Sequence, residues 1–281
     1  MKKVYVALSR LWNANHMAML GLAILLMWLV VMVFAPQIAI NDGIEQDIAN
    51  RFQPPNAQHP FGTDNLGRDI YSRVVYGSRI SIPVAFVVVA VSLSVGGMWG
   101  LLAGYFSKTV DEVLMRICDL VLSFPGIILA LAIAAALGPS LTNSLIAVVA
   151  VSWPIYARLM RSLVISMRSS EYVDAVVALG AGTPRILMQT VIPNTISVVL
   201  IMATLDLGNA MLTFAGLSFL GLGQAPPTPE WGAMVSSGAQ DFTKWWVALF
   251  PGLAIVSFAL AFNFIGDALR DLMDPGLRRL L

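Results

Sequence analysis

The sequence is poor in charge, cysteine and histidine. Asp, Glu, Lys and Arg form 12% of its 281 residues and leave a formal net charge of +1, so no nucleic-acid partner is indicated. The single cysteine, Cys118, excludes an internal disulfide and is expected to be a free, buried, structural thiol. The two histidines, His16 and His59, fall at the start of an apolar run and in a loop, so no metal site is expected within one chain.

Motifs of catalysis are also absent. The sequence has no Gly-x-x-x-x-Gly-Lys-Ser/Thr phosphate-binding loop, so we expect no ATP hydrolysis by this chain. We therefore predict a non-catalytic protein with no catalytic residues and no cofactor of its own. Any nucleotide or metal chemistry would belong to partners.

Apolar residues are abundant instead. They form 58% of the sequence and give a mean hydropathy of +0.78, which places the chain in a lipid bilayer. A bilayer core of about 30 Å needs roughly 20 apolar residues of helix. Six stretches reach or approach that length: residues 17–35, 81–105, 117–137, 141–163, 195–217 and 245–265. The sequence predicts an all-α membrane protein with six transmembrane helices, the first of which is too long for a signal-peptide core and should remain uncleaved.

The basic residues predict the orientation of these helices. With both termini in the cytoplasm, twelve of the seventeen Lys and Arg residues lie inside and five outside. The inside group is Lys2, Lys3, Arg10, Lys108, Arg116, Arg158, Arg161, Arg168, Arg185, Arg270, Arg278 and Arg279, and the outside group is Arg51, Arg68, Arg73, Arg79 and Lys244.

Between the fourth and fifth spans, residues 170–194 are amphipathic and charged. Ser170 is a plausible N-cap, acidic residues follow it, and Gly180 and Gly182 are stop signals, so a short helix is predicted. One face of this helix carries Glu171, Asp174 and Ala178, and an apolar stripe carries Tyr172, Val176 and Leu179.

A second helix should follow at once. Thr183 is the expected N-cap before Pro184, and Ile192-Pro193-Asn194 should interrupt the chain before the fifth span. On these features alone, an ordinary amphipathic helix on the bilayer surface is an equal alternative to a docking element.

The same stretch resembles the cytoplasmic signature of permease subunits of bacterial ATP-binding-cassette (ABC) importers. That signature is Glu-Ala-Ala, three residues, Gly, nine residues, then Ile-x-Leu-Pro. Asp174, Ala175 and Val176 match the first triplet, Gly180 the glycine, and Thr190, Ile192 and Pro193 the last group. Four of these, Asp174, Val176, Thr190 and Ile192, depart from the pattern but keep the acid and most of the apolar character. Residues 59–81, 216–234 and 261–275 resemble the dipeptide, oligopeptide and nickel branch of that family.

The resemblance implies a fold and a set of partners. The fold is the transmembrane domain of a type I ABC importer, with residues 1–80 as an N-terminal unit and 81–281 as the permease core. The implied partners are a second homologous permease subunit forming a heterodimer, two ABC ATPase subunits that hold ATP and Mg, and an extracytoplasmic solute-binding protein. The implied location is the bacterial cytoplasmic (inner) membrane.

It also implies a function. Short peptides, ahead of nickel or a metal chelate, would cross by alternating access. A coupling helix at about residues 170–182 would dock on the ATPases, and the residues expected to serve this coupling are Glu171, Asp174, Ala175, Gly180, Gly182 and Pro193.

Two external segments are predicted. Residues 36–80 are either a spacer or a docking region for the solute-binding protein. Residues 216–244 hold three prolines beside Trp231, an aromatic residue suited to the membrane interface, and should form part of an outer gate or of the same docking region.

Several positions inside the spans are unusual. Phe124-Pro125-Gly126 and Trp153-Pro154 should bend or break their helices, and Gly96, Gly97, Gly100 and Gly104 should allow close helix packing. Asp206 lies inside the fifth span, where a carboxylate costs about 2.5–3.5 kcal/mol.

Asn209 and Thr213 continue a polar stripe from Asp206. Two roles for Asp206 carry equal weight, namely lining a translocation pathway and bonding to a neighbouring helix. A different class of function also stays open, a secondary transporter driven by proton or sodium with Asp206 as its coupling carboxylate.

Overall fold

A computed structural model describes residues 16–273, and this range is helical, with no β-strand. Five basic residues used for the orientation, Lys2, Lys3, Arg10, Arg278 and Arg279, lie outside the described residues. The helices are α1 (His16–Val33), α2 (Ala35–Ile38), α3 (Ile70–Tyr105), α4 (Lys108–Leu122), α5 (Gly126–Leu137), α6 (Leu141–Arg168), α7 (Glu171–Ala178), α8 (Thr183–Ile186), α9 (Ile192–Phe219), α10 (Trp231–Gly238) and α11 (Trp245–Met273). A π-helical turn, Leu187–Val191, joins α8 to α9, and single 3-10 turns lie at Ile48–Asn50 and Phe242–Lys244.

Within the described range, five helical segments are long and apolar enough to cross a membrane, and a sixth crossing arises if α4 and α5 form one span. Those two helices meet at 85° around Phe124-Pro125, which confirms the bend predicted there. Helix α5 has 12 residues, about 18 Å, and is too short to cross alone. The structure therefore agrees with the six-span prediction only with a broken third span.

One predicted helix start inside the bundle was wrong, and the chain does not break at Trp153-Pro154. Helix α3 begins at Ile70 rather than Ser81, because the Asp69 carboxylate accepts a 2.8 Å hydrogen bond from the backbone N–H of Ser72 and caps the helix there. The first loop region therefore ends at Asp69, and residue 80 lies within a helix. Helix α6 runs through Pro154 without a break, with that proline buried.

Helices α3 and α6 pack closely through glycine, as predicted. A Cβ atom on Gly96 would lie 2.2 Å from the carbonyl oxygen of Trp153, and one on Gly100 would lie 2.2 Å from that of Ala157. Gly97 is less tightly packed, since its Cβ would lie 3.8 Å from the Met160 side chain of α6. The two backbones can approach this closely only because side chains are absent at the contact points.

Residues 34–69 and 220–244 cover one end of the bundle, and we call them the loop cap. A buried cluster holds it together: Arg68 Nε donates to Asp64 at 2.7 Å, and Arg73 donates to the carbonyls of Gly43 at 2.7 Å and Pro227 at 3.2 Å. The cap is thus packed on the helices, which a free spacer would not be.

Trp231 corrects the interpretation of the second cap segment. It is 0% exposed, its ring lies 4.7 Å from that of Trp28, and its indole N–H donates to the carbonyl of Val74 at 2.9 Å. It is therefore a core residue and not an interfacial aromatic residue. Beside it, Glu230 caps α10 by accepting bonds from the N–H groups of Gly232 and Ala233, and burial raises the pKa of its carboxyl group.

Cys118 is a free, buried thiol, as predicted.

Candidate coupling surface

Residues 169–191, which we call the coupling segment, connect α6 to α9 at the end of the bundle opposite the loop cap. Helix α6 runs from one end of the bundle to the other. Near its start, Ser144 Oγ donates to the carbonyl of Leu222 in the loop cap, and at its end Arg168 donates to the carbonyl of Tyr105. The segment thus lies some 40 Å from the cap, at 1.5 Å per residue of α6.

Helix α7 begins and ends close to where the sequence predicts. Ser170 is the N-cap, although its hydroxyl donates to the carbonyl of Met167 at 2.6 Å instead of accepting from the helix. Glu171 and Asp174 occupy the first turn, where the helix dipole favours negative charge. The chain then turns at Gly180, whose φ of +80° is a conformation that side-chain-bearing residues adopt at a cost.

The buried side of α7 differs from the predicted stripe. Val173 is the residue of this helix that is buried, and Val176 is half-buried. Tyr172 and Leu179 are 58% and 87% exposed. Most of the apolar stripe predicted on this helix therefore points outward, and the bundle is contacted through Val173 instead.

All six residues expected to serve coupling are exposed, namely Glu171, Asp174, Ala175, Gly180, Gly182 and Pro193. Gly182 has an ordinary φ of −73° and is the N-cap of α8, so the N-cap predicted at Thr183 was one residue late. The exposed surface of α7 combines two carboxylates with apolar side chains, which is a composition suited to docking a protein. Their role in coupling stays a prediction.

The break predicted at Ile192-Pro193-Asn194 was wrong. Residues 183–219 form one continuous helical segment of 37 residues. Pro193 has no N–H to donate, and the chain adapts with the π-helical turn before it. Side chains bond the carbonyls there: Asn194 Nδ2 donates to Thr190 at 2.6 Å, and Thr195 Oγ1 donates to Val191 at 3.0 Å. The coupling segment therefore continues into a membrane helix without a flexible joint.

Asp206 lies half-buried on α9 and accepts a hydrogen bond of 2.8 Å from Tyr156 on α6. This is the bond to a neighbouring helix that the sequence left as one of two roles. Asn209 is exposed and Thr213 is half-buried on the same side of α9. The lining of a pathway by these three residues stays a prediction.

Two arginines of α6 form ion pairs that the sequence did not predict. Arg158 Nη2 donates to Asp119 Oδ1 at 2.7 Å, and Arg161 donates to both carboxylate oxygens of Asp111. In the sequence these arginines indicate only the orientation of the spans. Two carboxylates eight residues apart, before and within the third predicted span, and two arginines near the end of the fourth are the signal that could have indicated the pairs.

Comparisons with known proteins fit this arrangement. Residues 96–279 match the family described as "Binding-protein-dependent transport system inner membrane component", and residues 10–55 match "N-terminal TM domain of oligopeptide transport permease C". These two matches cover most of the chain.

Several characterised or named relatives are similar over nearly the full length. The dipeptide transport system permease protein of Alkalihalophilus pseudofirmus is 44% identical, covering 94% of this chain and 87% of the relative. A probable D,D-dipeptide transport system permease of Escherichia coli K12 is 42% identical over 90% and 85%. A glutathione transport system permease of another Escherichia coli strain is 41% identical over 96% and 89%.

A solved structure shares the fold. An inward-facing MetNI methionine ABC transporter chain superposes with a TM-score of 0.60, covering 73% of this chain and 98% of that one, at 17% sequence identity. At that identity the likeness concerns the fold alone.

Proposed function

The chain belongs to the family of binding-protein-dependent transport system inner membrane components, and from that premise we propose that it is the permease subunit of an ATP-driven importer of short peptides. It is a multi-pass inner membrane protein with the fold of a type I ABC importer permease. Relatives named for dipeptides, D,D-dipeptides, di- and tripeptides, and glutathione support peptides as substrates over nickel or a metal chelate.

The observation that carries the proposal is the placement of α7. It is a short exposed helix held between two long helices, α6 and the continuous segment 183–219. A partner that moves α7 must therefore move membrane helices with it. We assign that partner role to two ABC ATPase subunits, which supply ATP and Mg, and place α7 with both chain termini on the cytoplasmic side.

The remaining partners follow from the two ends of the molecule. A second homologous permease subunit would complete a pore of which this chain forms half. An extracytoplasmic solute-binding protein would deliver the peptide to the loop cap, which is packed firmly enough to serve as a docking platform. Closure of the ATPases would turn the helices between inward-open and outward-open states, which is alternating access.

Reconstitution tests the proposal. The chain is purified with its co-expressed partners, placed in liposomes with the binding protein, and supplied with ATP inside and a radiolabelled dipeptide outside. We expect uptake that requires ATP and the binding protein and that is unchanged when proton and sodium gradients are collapsed. Uptake driven by either gradient in the purified chain alone would instead support a secondary transporter with Asp206 as coupling carboxylate.

A further inference from the structure

Three arginines form a line along the α6 face that meets α4. Arg158, Arg161 and Arg168 are separated by three and seven residues, which brings them within about 80° of one another around the helix. We call them the arginine ladder. All three lie in the half of α6 that leads into the coupling segment.

Each arginine holds a different point of the α3–α4 region. Arg158 binds Asp119 near the end of α4, at 2.7 Å, and Arg161 makes a two-pronged contact with Asp111 in its first turn. Arg168 donates to the carbonyl of Tyr105 at 2.8 Å and lies 5.7 Å from the centre of its ring. Helix α4 is thus fixed to α6 at both ends.

The Arg161–Asp111 contact is the stronger of the two ion pairs. Its side chains are 35% and 19% exposed, against 54% and 55% for Arg158 and Asp119. A two-pronged guanidinium–carboxylate contact also fixes orientation as well as distance. It therefore restricts the sliding and rotation of α4 on α6.

The contacts of the arginine ladder form a joint between α6 and α4. Beyond this joint, α6 leads into the coupling segment and α4 leads into α5. On one side α6 connects to α7 through Ser169 and Ser170. The N–H groups of these two residues donate to the carbonyls of Ile165 and Met167, so the connection is short and hydrogen-bonded. On the other side α4 ends at a corner of 85°, with Pro125 and with Gly126, whose Cβ position faces open space. Helix α5 beyond the corner exposes Ile127 and Ile128.

We propose that the arginine ladder transmits movement of the coupling segment to α4, and that the corner at residues 123–125 is the hinge about which α5 then swings. The ladder residues are positioning residues, since Arg158 and Arg161 act through α4 and Arg168 acts through the end of α3. This inference rests on the proposed function only in that the coupling segment is moved by ATPase partners.

Charge exchange tests the joint in the assembled transporter. Arg161→Asp and Asp111→Arg each place two like charges at the contact, and the double exchange restores an ion pair of reversed polarity. For each single variant we expect dipeptide uptake per ATP hydrolysed to fall by about tenfold while ATP hydrolysis continues. The double exchange should return that ratio to within about threefold of the unmodified transporter.

A matched control lies on α4, the helix that carries Asp111. Lys108 and Glu112 form an ion pair at 3.8 Å that is 90% and 65% exposed and stays within α4. Their exchange should leave the ratio unchanged. If the single Arg161 or Asp111 variants do not assemble, the exposed Arg158–Asp119 pair is exchanged in the same way.

Distance measurements give a readout independent of the substrate. In a Cys118→Ser background, spin labels on Leu179→Cys and Leu120→Cys report whether α4 moves with the coupling segment, and a label on Leu137→Cys reports α5. On ATP binding, the distance from 179 to 120 should stay constant and that from 179 to 137 should change.

Three results would overturn the inference: unchanged coupling in the single exchanges, a changing distance between positions 179 and 120, or a constant distance between positions 179 and 137. A transporter that takes up no dipeptide but keeps the constant distance would refute the proposed substrate and leave the joint intact. The two proposals can therefore fail separately.

Discussion

The phenolic hydroxyl of Tyr156 donates a hydrogen bond of 2.8 Å to Oδ2 of Asp206, joining the helix that enters the coupling segment to the helix that leaves it. Tyr156 is 0% exposed, so its hydroxyl has no access to water. Fifty residues separate the two partners, and α7 lies between them. The bond therefore closes a loop of the chain that contains α7.

Removing the hydroxyl should weaken that closure. We expect Tyr156→Phe to lower the free energy of unfolding by about 0.5–2 kcal/mol, because the Asp206 carboxylate loses a donor inside the bundle. Thermal unfolding of the purified chain in detergent measures the change. Tyr71→Phe, a half-buried tyrosine elsewhere in the bundle, is the control, and equal melting temperatures for all three proteins would contradict a structural role.

Replacing Asp206 by Asn removes the charge of its carboxylate and keeps its hydrogen bond, so the two contributions can be measured separately. Asp206→Asn keeps a carbonyl oxygen that can accept from Tyr156, so we expect assembly with the partners and melting temperature close to the original. Uptake should nevertheless fall severalfold if the charge lines the pathway. Uptake and co-purification are measured side by side, and normal uptake would dismiss the pathway role.

Gly180 should tolerate no side chain without loss of coupling. Its φ of +80° costs any other residue about 1–2 kcal/mol, so Gly180→Leu would reorient the turn that ends α7. We expect continued ATP hydrolysis with reduced uptake. Gly221→Leu controls for the cost of a side chain at positive φ, since its φ is +82°, its Cβ position is also open and it too follows the last turn of a helix; its melting temperature is measured beside that of Gly180→Leu. Full coupling in the Gly180 variant would count against the assignment of α7.

The glycine contact between α3 and α6 can be tested with neighbouring positions. Gly100→Ala should destabilise the chain by about 1–3 kcal/mol, since the new Cβ would lie 2.2 Å from a backbone oxygen that cannot rotate away. Gly97→Ala should be neutral or stabilising by up to about 1 kcal/mol, because its Cβ meets an ordinary contact and alanine favours helix. Melting temperatures in detergent compare the two, and the reverse order would refute the packing argument.

The sequence predicted the spans well because hydropathy is a sum over many residues and tolerates local exceptions. It also placed α7, since Ser170 and Gly180 act through local backbone chemistry. The buried side of α7 could not be predicted in this way. Val173 faces the bundle because of the direction in which α6 delivers the chain, which no residue within α7 determines.

Other differences have similar causes. Trp231 is buried because Trp28 and Val74, from remote segments, form its surroundings. The helix continues past Pro193 because Asn194 and Thr195 bond the carbonyls before it, and a proline alone suggests a stop. The Arg161–Asp111 pair depends on the fold at Pro125. In each case a contact with a distant segment, or with a neighbouring side chain, gave a structure that the residue type alone does not predict.

The uninterrupted helix from Thr183 to Phe219 is about 55 Å long at 1.5 Å per residue, whereas the hydrocarbon layer measures about 30 Å. When the helix is upright, the surplus of about 25 Å over the hydrocarbon layer places roughly four to five turns among or beyond the lipid headgroups, and tilt reduces that number. A partner bound at the Thr183 end would therefore reach this transmembrane helix at headgroup level, without entering the hydrocarbon layer.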